Sequence, residues 1–133
     1  MLDPIPKEIE NTGYVVLNRP YAFNQWLDAG YVEEKYILMS EPDHLLLRPL
    51  PNKMRGRRPF AFPFHYITAW DPKFQDIARK FVGDVPVSEL EKVPPIGNAP
   101  TFMAADQLRE VIPEWLDLAL RVHRDAEADK AWG

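Results

Sequence analysis

The 133-residue sequence contains no cysteine, few glycines and no excess of basic charge. Without cysteine, the chain has no disulfides, no Cys-ligated zinc and no thiol catalysis, although this absence leaves the cellular compartment open. Its six glycines form no phosphate-cradling loop. The net charge of −4 gives no general attraction for nucleic acid or for an anionic membrane, so no nucleic-acid partner is expected.

Long apolar runs are also missing. No stretch reaches the roughly 18 apolar residues that a membrane span requires, so no membrane segment is expected in this chain. The N-terminal "MLDPIPKEIE" is too acidic and too rich in proline for a signal peptide, so no targeting signal is expected either. The remaining composition, 46% hydrophobic and 27% charged, is ordinary for a soluble globular protein.

Proline is the residue in excess, with 14 copies, about twice its common rate. Because proline ends helices and fixes extended connections, we expect short elements joined by long ordered loops. The length allows one domain at most. Residues 1–13 are predicted to form an extended N-terminal arm that is poorly anchored, and residues 14–133 to form the domain.

The order of apolar patterns predicts the class of the fold. Strands are expected at residues 14–18 and 35–40 with a helix between them, followed by further extended segments and a second helix. A long loop is expected over residues 83–100, and then two helices, the second opened by Pro113. This order indicates an α/β fold with helices flanking an open sheet. The strong strands are too few to close a barrel, so we expect an incomplete sheet that other chains could complete.

An acidic cluster interrupts the stretch "YILMSEPDHLLLRPLP", whose two apolar segments both have the character of buried chain. In an open α/β sheet, ligands bind at the carboxyl ends of strands, which is where Glu41, Asp43 and His44 would lie. Pro42 stands between the two carboxylates, where it bends the backbone and could bring both towards one point. Such oxygen ligands suit Mg²⁺ or Mn²⁺. The alternative is a plain turn, because Asp and Pro favour turns.

Five blocks of sequence, in order, resemble a known enzyme family. The blocks "YVVLNRPYAFNQWL", "EEKYILMSEPDHLLLRPLPN", "AFPFHYI", "PPIGNAP" and "DAEADKAWG" are similar to the plant and algal hydroxyproline O-arabinosyltransferases and the related peptidyl serine α-galactosyltransferases. The resemblance implies a glycosyltransferase that moves a sugar from a UDP-sugar to hydroxyproline or serine of hydroxyproline-rich, extensin-type proteins. It also implies an A-type, Rossmann-like glycosyltransferase fold and a place in the secretory pathway, in the Golgi.

The same resemblance implies roles for eight residues. A divalent metal, Mn²⁺ by preference, would be held by Glu41, Asp43 and His44. The donor or sugar would be bound by Asn18, Arg19, Gly97 and Asn98. Asp129, in a strongly patterned block, would be catalytic.

The chain also departs from the family pattern. Family members carry further segments before and after these blocks, so we expect this chain to correspond to a central part of the domain. His65 stands where a second aromatic residue is usual, and it could serve as a metal ligand if its strand neighbours the 36–39 strand. The alternative function is that of a catalytically inactive fragment or descendant, acting as a structural or binding subunit in a larger assembly.

Charged and aromatic residues outside the blocks have simpler interpretations. Arg55, Arg57 and Arg58 could grip phosphate or an acidic acceptor, but a solvated loop is the favoured reading of such a run. Trp26 and Trp115 lie at helical spacing with other apolar residues, which predicts core packing. Trp70 follows an extended run and is the better candidate for a ligand-facing ring.

Overall fold

A computed structural model describes residues 2–7, 15–30, 32–65 and 67–132 of the chain. The chain divides into two compact units: a helical unit, Met1–Glu34 with Asp106–Gly133, and a sheet unit, Lys35–Ala105. The elements, in chain order, are a 3₁₀ turn Val15–Leu17, helix α1 Asn18–Asp28, strand β1 Tyr36–Met39, strand β2 Phe60–Pro63, helix α2 Gln75–Val82, helix α3 Val87–Leu90, strand β3 Ile96–Ala104, helix α4 Ala105–His123 and helix α5 Ala126–Trp132. The prediction of mixed helices and strands is therefore confirmed.

The helical unit is built on the buried faces of α1 and α4. Leu108 and Ile112 are each only 1% exposed and lie four residues apart, so they fall on one face of α4. Rings from the two helices also meet, since the centroid of Phe23 lies 6.0 Å from that of Trp26 and 6.4 Å from that of Trp115. These are tilted aromatic contacts of the kind that stabilise a core, which confirms packing roles for both tryptophans.

Helix α4 runs without a break through Pro113, so the prediction of two separate helices with Pro113 opening the second is wrong. A proline inside a helix removes one backbone hydrogen bond and crowds the preceding turn. Here Pro113 is on the exposed side, where water can satisfy the freed carbonyl. The buried face formed by Leu108 and Ile112 continues past it, and tertiary packing outweighs the local cost.

The N-terminal part of the helical unit differs from the sequence prediction at residues 15–17 and in the anchoring of its first residues. Residues 15–17 form a 3₁₀ turn rather than a strand, and Tyr14 lies outside the described residues. The β-branched content that predicted a strand is overridden because Leu17, 1% exposed, is buried as the chain enters α1. Of the predicted arm, residues 2–7 are described and residues 8–13 are not.

The described part of the arm is held on α1. The backbone N–H of Asp3 donates to Oε1 of Gln25 at 2.7 Å, and Nε2 of Gln25 donates back to the carbonyl oxygen of Asp3 at 2.9 Å. Ile5 is only 8% exposed. A paired amide contact of this kind fixes the direction of an extended segment much as a strand partner would.

Among its described residues, the sheet unit contains three strands in the order β1-β3-β2. Both pairings are antiparallel: Met39 lies opposite Thr101 in β1 and β3, and Phe60 lies opposite Phe102 in β2 and β3. The central strand buries Phe102 and Thr101, which are 7% and 5% exposed. No two strands in the described residues pair in parallel.

The central strand β3 and helix α3 are elements that the sequence did not predict. Residues 83–100 were expected to form one long loop, but they contain α3 and the first half of β3, so this prediction is wrong. Gly97 and Pro100 both disfavour a strand interior, which explains why the pattern points to a loop. The strand accommodates them with a register shift against β2 between Ala61 and Pro63.

Candidate functional site

Three segments of the sheet unit lie at the same end of the sheet. Because β1 is antiparallel to β3 with Met39 opposite Thr101, the chain that follows Met39 and the chain that precedes Thr101 lie at the same end. Strand β2 is also antiparallel to β3, with Pro63 opposite Ile96, so its carboxyl end reaches that end too. We call this place the strand-end surface; it holds residues 40–44, 64–65 and 96–98.

The acidic cluster forms a tight turn on this surface. The backbone N–H of His44 donates to the carbonyl oxygen of Glu41 at 3.1 Å. The imidazole Nδ1 of His44 accepts a hydrogen bond from the backbone N–H of Glu41 at 3.3 Å, and it lies 3.0 Å from Oγ of Ser40. The expectation of turn chemistry is met. Because Nδ1 acts as an acceptor here, the geometry assigns the imidazole proton to Nε2.

The two carboxylates of the turn differ in exposure. Glu41 is half-buried and Asp43 is exposed, with Pro42 between them. Among the described residues, no three His, Asp or Glu side chains are grouped so that they could hold a metal ion. The expected set of Glu41, Asp43 and His44 is therefore not assembled as a three-ligand cage, and Nδ1 of His44 is engaged by the turn. In donor chemistry the two carboxylates still suit Mg²⁺ or Mn²⁺, whose other positions are commonly filled by water and phosphate oxygens.

Gly97 lies on the strand-end surface at the start of β3, and its backbone is approached closely by another side chain. A Cβ at this position would lie 3.2 Å from Cδ2 of Phe64, so the ring occupies the space that a larger residue would need. The carbonyl oxygen of Gly97 accepts a hydrogen bond from Oγ1 of the buried Thr101 at 3.0 Å. The expectation was that a ligand would approach Gly97; the observed neighbour is Phe64.

Phe64 and Thr101 are the residues that sequence reasoning missed at this place. The backbone N–H of Phe64 donates to the carbonyl oxygen of Pro95 at 2.8 Å, which ties the end of β2 to the chain that enters β3. Phe64 and Thr101 thus position the block that contains Gly97 and Asn98. The alternation of aromatic and small residues in "FAFPF" predicts an extended segment that contains Phe64. It does not predict which strand the ring of Phe64 would contact.

His65 follows β2 and is exposed. Its use as a metal ligand depended on β2 being the neighbour of β1, and β3 lies between them. Two strand spacings place the backbones about 10 Å apart. The condition for His65 to join Glu41 and Asp43 is therefore not met by the pairing order.

The remaining candidates lie in different places. Asn18 and Arg19 occupy the first turn of α1, with Asn18 exposed and Arg19 half-buried, and Asp129 lies in α5. All three belong to the helical unit, whereas the acidic turn, Gly97 and Asn98 belong to the sheet unit. Their roles stay predictions.

The basic loop forms a defined turn in the sheet unit. Arg55 and Arg58 bridge in antiparallel fashion, and the backbone N–H of Arg58 donates to the carbonyl oxygen of Arg55 at 3.1 Å. Gly56, with φ of +61°, supplies the left-handed residue that such a turn needs. Arg57 and Trp70 are exposed.

Within the described residues, no helix combines the length and apolar character needed to cross a bilayer.

Comparison with known proteins identifies relatives along the whole chain. A family model described as "Hydroxyproline O-arabinosyltransferase family N-terminal domain" matches residues 1–133. The chain is 43% identical over 133 residues to hydroxyproline O-arabinosyltransferase 2 of Arabidopsis thaliana, which covers 98% of this chain and 36% of the relative. It is 44% identical over 136 residues to hydroxyproline O-arabinosyltransferase RDN2 of Medicago truncatula, which covers 100% of this chain and 36% of the relative.

A third relative gives the same picture. Hydroxyproline O-arabinosyltransferase PLENTY of Lotus japonicus is 42% identical over 135 residues, covering 100% of this chain and 36% of the relative. The chain thus spans little more than a third of the length of these curated relatives, and the expectation that it is a central part is wrong because the matching model is an N-terminal domain. No solved structure matches the chain.

Proposed function

The chain belongs to the hydroxyproline O-arabinosyltransferase family, and from that premise we propose that it forms the N-terminal domain of an enzyme that transfers an arabinosyl group from a UDP-sugar to hydroxyproline. The match of the family's N-terminal domain model to residues 1–133 supports this assignment. The relatives named above are all hydroxyproline O-arabinosyltransferases, which favours arabinose as the sugar and hydroxyproline, rather than serine, as the acceptor.

The observation that carries the proposal is the shared strand-end surface. Two of the blocks that resemble the family, the acidic turn and the "IGNAP" block, are far apart in sequence, yet β1 and β3 bring them to the same end of one sheet. Ligand sites commonly form where a few polar groups from segments distant in sequence converge. We propose that this surface is part of the donor site of an incomplete A-type glycosyltransferase fold.

At this surface, Glu41 and Asp43 would hold a Mn²⁺ ion whose remaining positions are filled by water and by the donor. When bound, such an ion neutralises the charge that develops on the diphosphate leaving group. His44 holds the turn closed through its Nδ1, which keeps the backbone of Glu41 in place. In this proposal His44 stabilises the turn that carries the two carboxylates. Because Nδ1 is engaged in the turn, a direct bond from His44 to the ion would have to use Nε2.

The other residues would bind and orient the substrates. Gly97 and Asn98 would line the sugar or acceptor side of the surface, fixed by Phe64 and Thr101. Arg19, beside Asn18 at the beginning of α1, has the planar guanidinium that suits a phosphate group. Asp129 is assigned a catalytic role because it lies in a block typical of the family. Positioning of donor and acceptor is the protein's main contribution to such a transfer.

The acceptor and the cellular site are proposed from the family. The acceptor would be a hydroxyproline-rich, extensin-type polypeptide. The enzyme would act on it in the secretory pathway, in the Golgi.

Calorimetry with UDP tests the donor site. We expect UDP to bind this chain more tightly in the presence of Mn²⁺, and we expect Glu41→Ala and Asp43→Ala each to remove that enhancement, with a loss of roughly tenfold or more. Asp84→Ala is the matched control, because Asp84 is an exposed acid of the same unit that is not among the residues of the strand-end surface. The metal site would be refuted if UDP bound equally well with and without Mn²⁺, or if Asp84→Ala lowered the affinity for UDP as much as the Glu41 and Asp43 variants do.

A further inference from the structure

The segment that follows the acidic turn exposes three consecutive leucines. Leu45, Leu46 and Leu47 are 87%, 55% and 94% exposed. The apolar pattern predicted buried chain here, and this expectation is wrong for the structure of the chain by itself. We call these three residues the leucine segment.

The exposure has no local explanation. The segment lies in neither a helix nor a strand, so no amphipathic element requires an apolar residue at these positions. Single exposed leucines are common on protein surfaces, but contiguous apolar runs in water mark contact surfaces or aggregation hazards. A run of three is the pattern that a soluble surface avoids unless it serves a function.

The position of the leucine segment points to its use. It continues directly from the acidic turn, which places it beside the strand-end surface. The flanking chain is electropositive, because residues 44–70 contain five basic residues and no acidic one, whereas the whole chain has a net charge of −4. A partner that covered the leucines would therefore meet an apolar strip with a basic border, and it would exclude water from one side of the proposed donor site.

We propose that the leucine segment is the docking surface for the part of the family's polypeptide that lies outside the N-terminal domain. The relatives supply the reason for this occupant, since most of the length of each lies outside the region that this chain matches, and the matching model describes an N-terminal domain. The inference rests on the domain assignment of the proposed function and not on the metal or the donor.

The first test is a chimera in which this chain replaces the matched region of hydroxyproline O-arabinosyltransferase 2 of Arabidopsis thaliana. The substitution pair Leu45→Ser with Leu47→Ser is compared with Val82→Ser with Val93→Ser. The control valines belong to the same unit and are 56% and 49% exposed, but they do not form a run. We expect the leucine pair to lower the thermal midpoint of the chimera by several degrees more than the control pair does, and to leave the midpoint of the 133-residue chain unchanged.

Three results would overturn the proposal. An equal fall of the midpoint in the chimera and in the 133-residue chain would mean that the leucines pack within the domain. No fall in either would mean that nothing docks on them. If the 133-residue chain forms dimers that the leucine pair abolishes, while the chimera is insensitive to it, the occupant is a second copy and the proposal is wrong.

Hydrogen exchange gives a second measurement that does not depend on the chimera folding. In the intact relative, we expect slow amide exchange across the segment aligned with residues 45–47, and in the 133-residue chain fast exchange at the same place. Fast exchange in both proteins would contradict docking. Protection of the 133-residue chain by phosphatidylserine vesicles, without protection in the intact relative, would assign the segment to a membrane surface instead.

Discussion

Replacement of Gly97 by alanine separates a packing role from a ligand role at the proposed donor site. The new Cβ would lie 3.2 Å from Cδ2, 3.4 Å from Cβ and 3.5 Å from Cγ of Phe64. Carbon atoms in contact prefer about 3.5–4.0 Å, so the ring must move by a few tenths of an ångström. Phe64 is half-buried, and its ring can give in part. Overpacking of this kind costs about 1–3 kcal/mol, and we expect about 1.5 kcal/mol here because the ring can move in part.

A favourable term works against this cost. The φ of Gly97 is not in the left-handed region, so alanine fits the backbone. Alanine also lowers the conformational entropy of the unfolded chain, which stabilises the folded protein by about 0.4–1 kcal/mol. The net expectation is a loss of roughly 0.5–1 kcal/mol for Gly97→Ala, from the difference of these two terms. Denaturant titration, followed by circular dichroism, measures it as a lower midpoint at constant slope.

A double-mutant cycle with Phe64→Ala identifies the cause. Without the ring, Gly97→Ala should become neutral or slightly stabilising, which gives a coupling energy of about 1 kcal/mol between the two positions. An equal cost in both backgrounds would refute the packing explanation. If Gly97→Ala leaves stability unchanged but abolishes the Mn²⁺-dependent affinity for UDP, the glycine is required by the ligand and not by Phe64.

Three further substitutions follow from the structure. Leu108→Ala should destabilise the protein by about 2–5 kcal/mol because the side chain is 1% exposed, whereas Val111→Ala, at a position 43% exposed on the same helix, should cost far less; similar losses in thermal or denaturant unfolding would contradict the assigned face of α4. Pro113→Ala should stabilise by roughly 1 kcal/mol or more, because it restores a donor to the carbonyl of Arg109 inside one continuous helix; a destabilised protein in the same unfolding assay would indicate a helix boundary at this proline. His44→Asn should preserve the turn, since an amide oxygen can replace Nδ1 as acceptor, while His44→Ala should speed amide exchange at Glu41 severalfold; equal exchange rates in the two variants would remove the imidazole from the turn.

Several features of the chain could be predicted without coordinates. The apolar spacing of Phe23, Trp26 and Leu27 predicts α1, and the apolar run at 36–39 predicts β1. Both predictions are possible because the period of apolar residues is a local property of the sequence. The five ordered blocks identify the family, and the comparisons confirm it. The turn at Glu41–His44 could also be predicted, since Pro and Asp favour turns for local steric and hydrogen-bonding reasons.

Other features depend on partners that are distant in sequence. Strand β3 contains Gly97 and Pro100, which locally favour a loop, and it becomes the central strand only because β1 and β2 pair with its two edges. The same pairing separates His65 from the acidic turn by one strand. Residues 15–17 had strand-forming side chains, but burial of Leu17 at the entrance of α1 made them a 3₁₀ turn.

The sequence by itself determined the family and the mixture of helices and strands, because these are properties of composition, local spacing and ordered motifs. Only the tertiary structure decided that the acidic turn and Gly97 share one end of a sheet, that Phe64 fills the space above Gly97, and that three leucines are exposed beside them. Contacts of this kind depend on which distant segments pair, and a local pattern does not encode its partner.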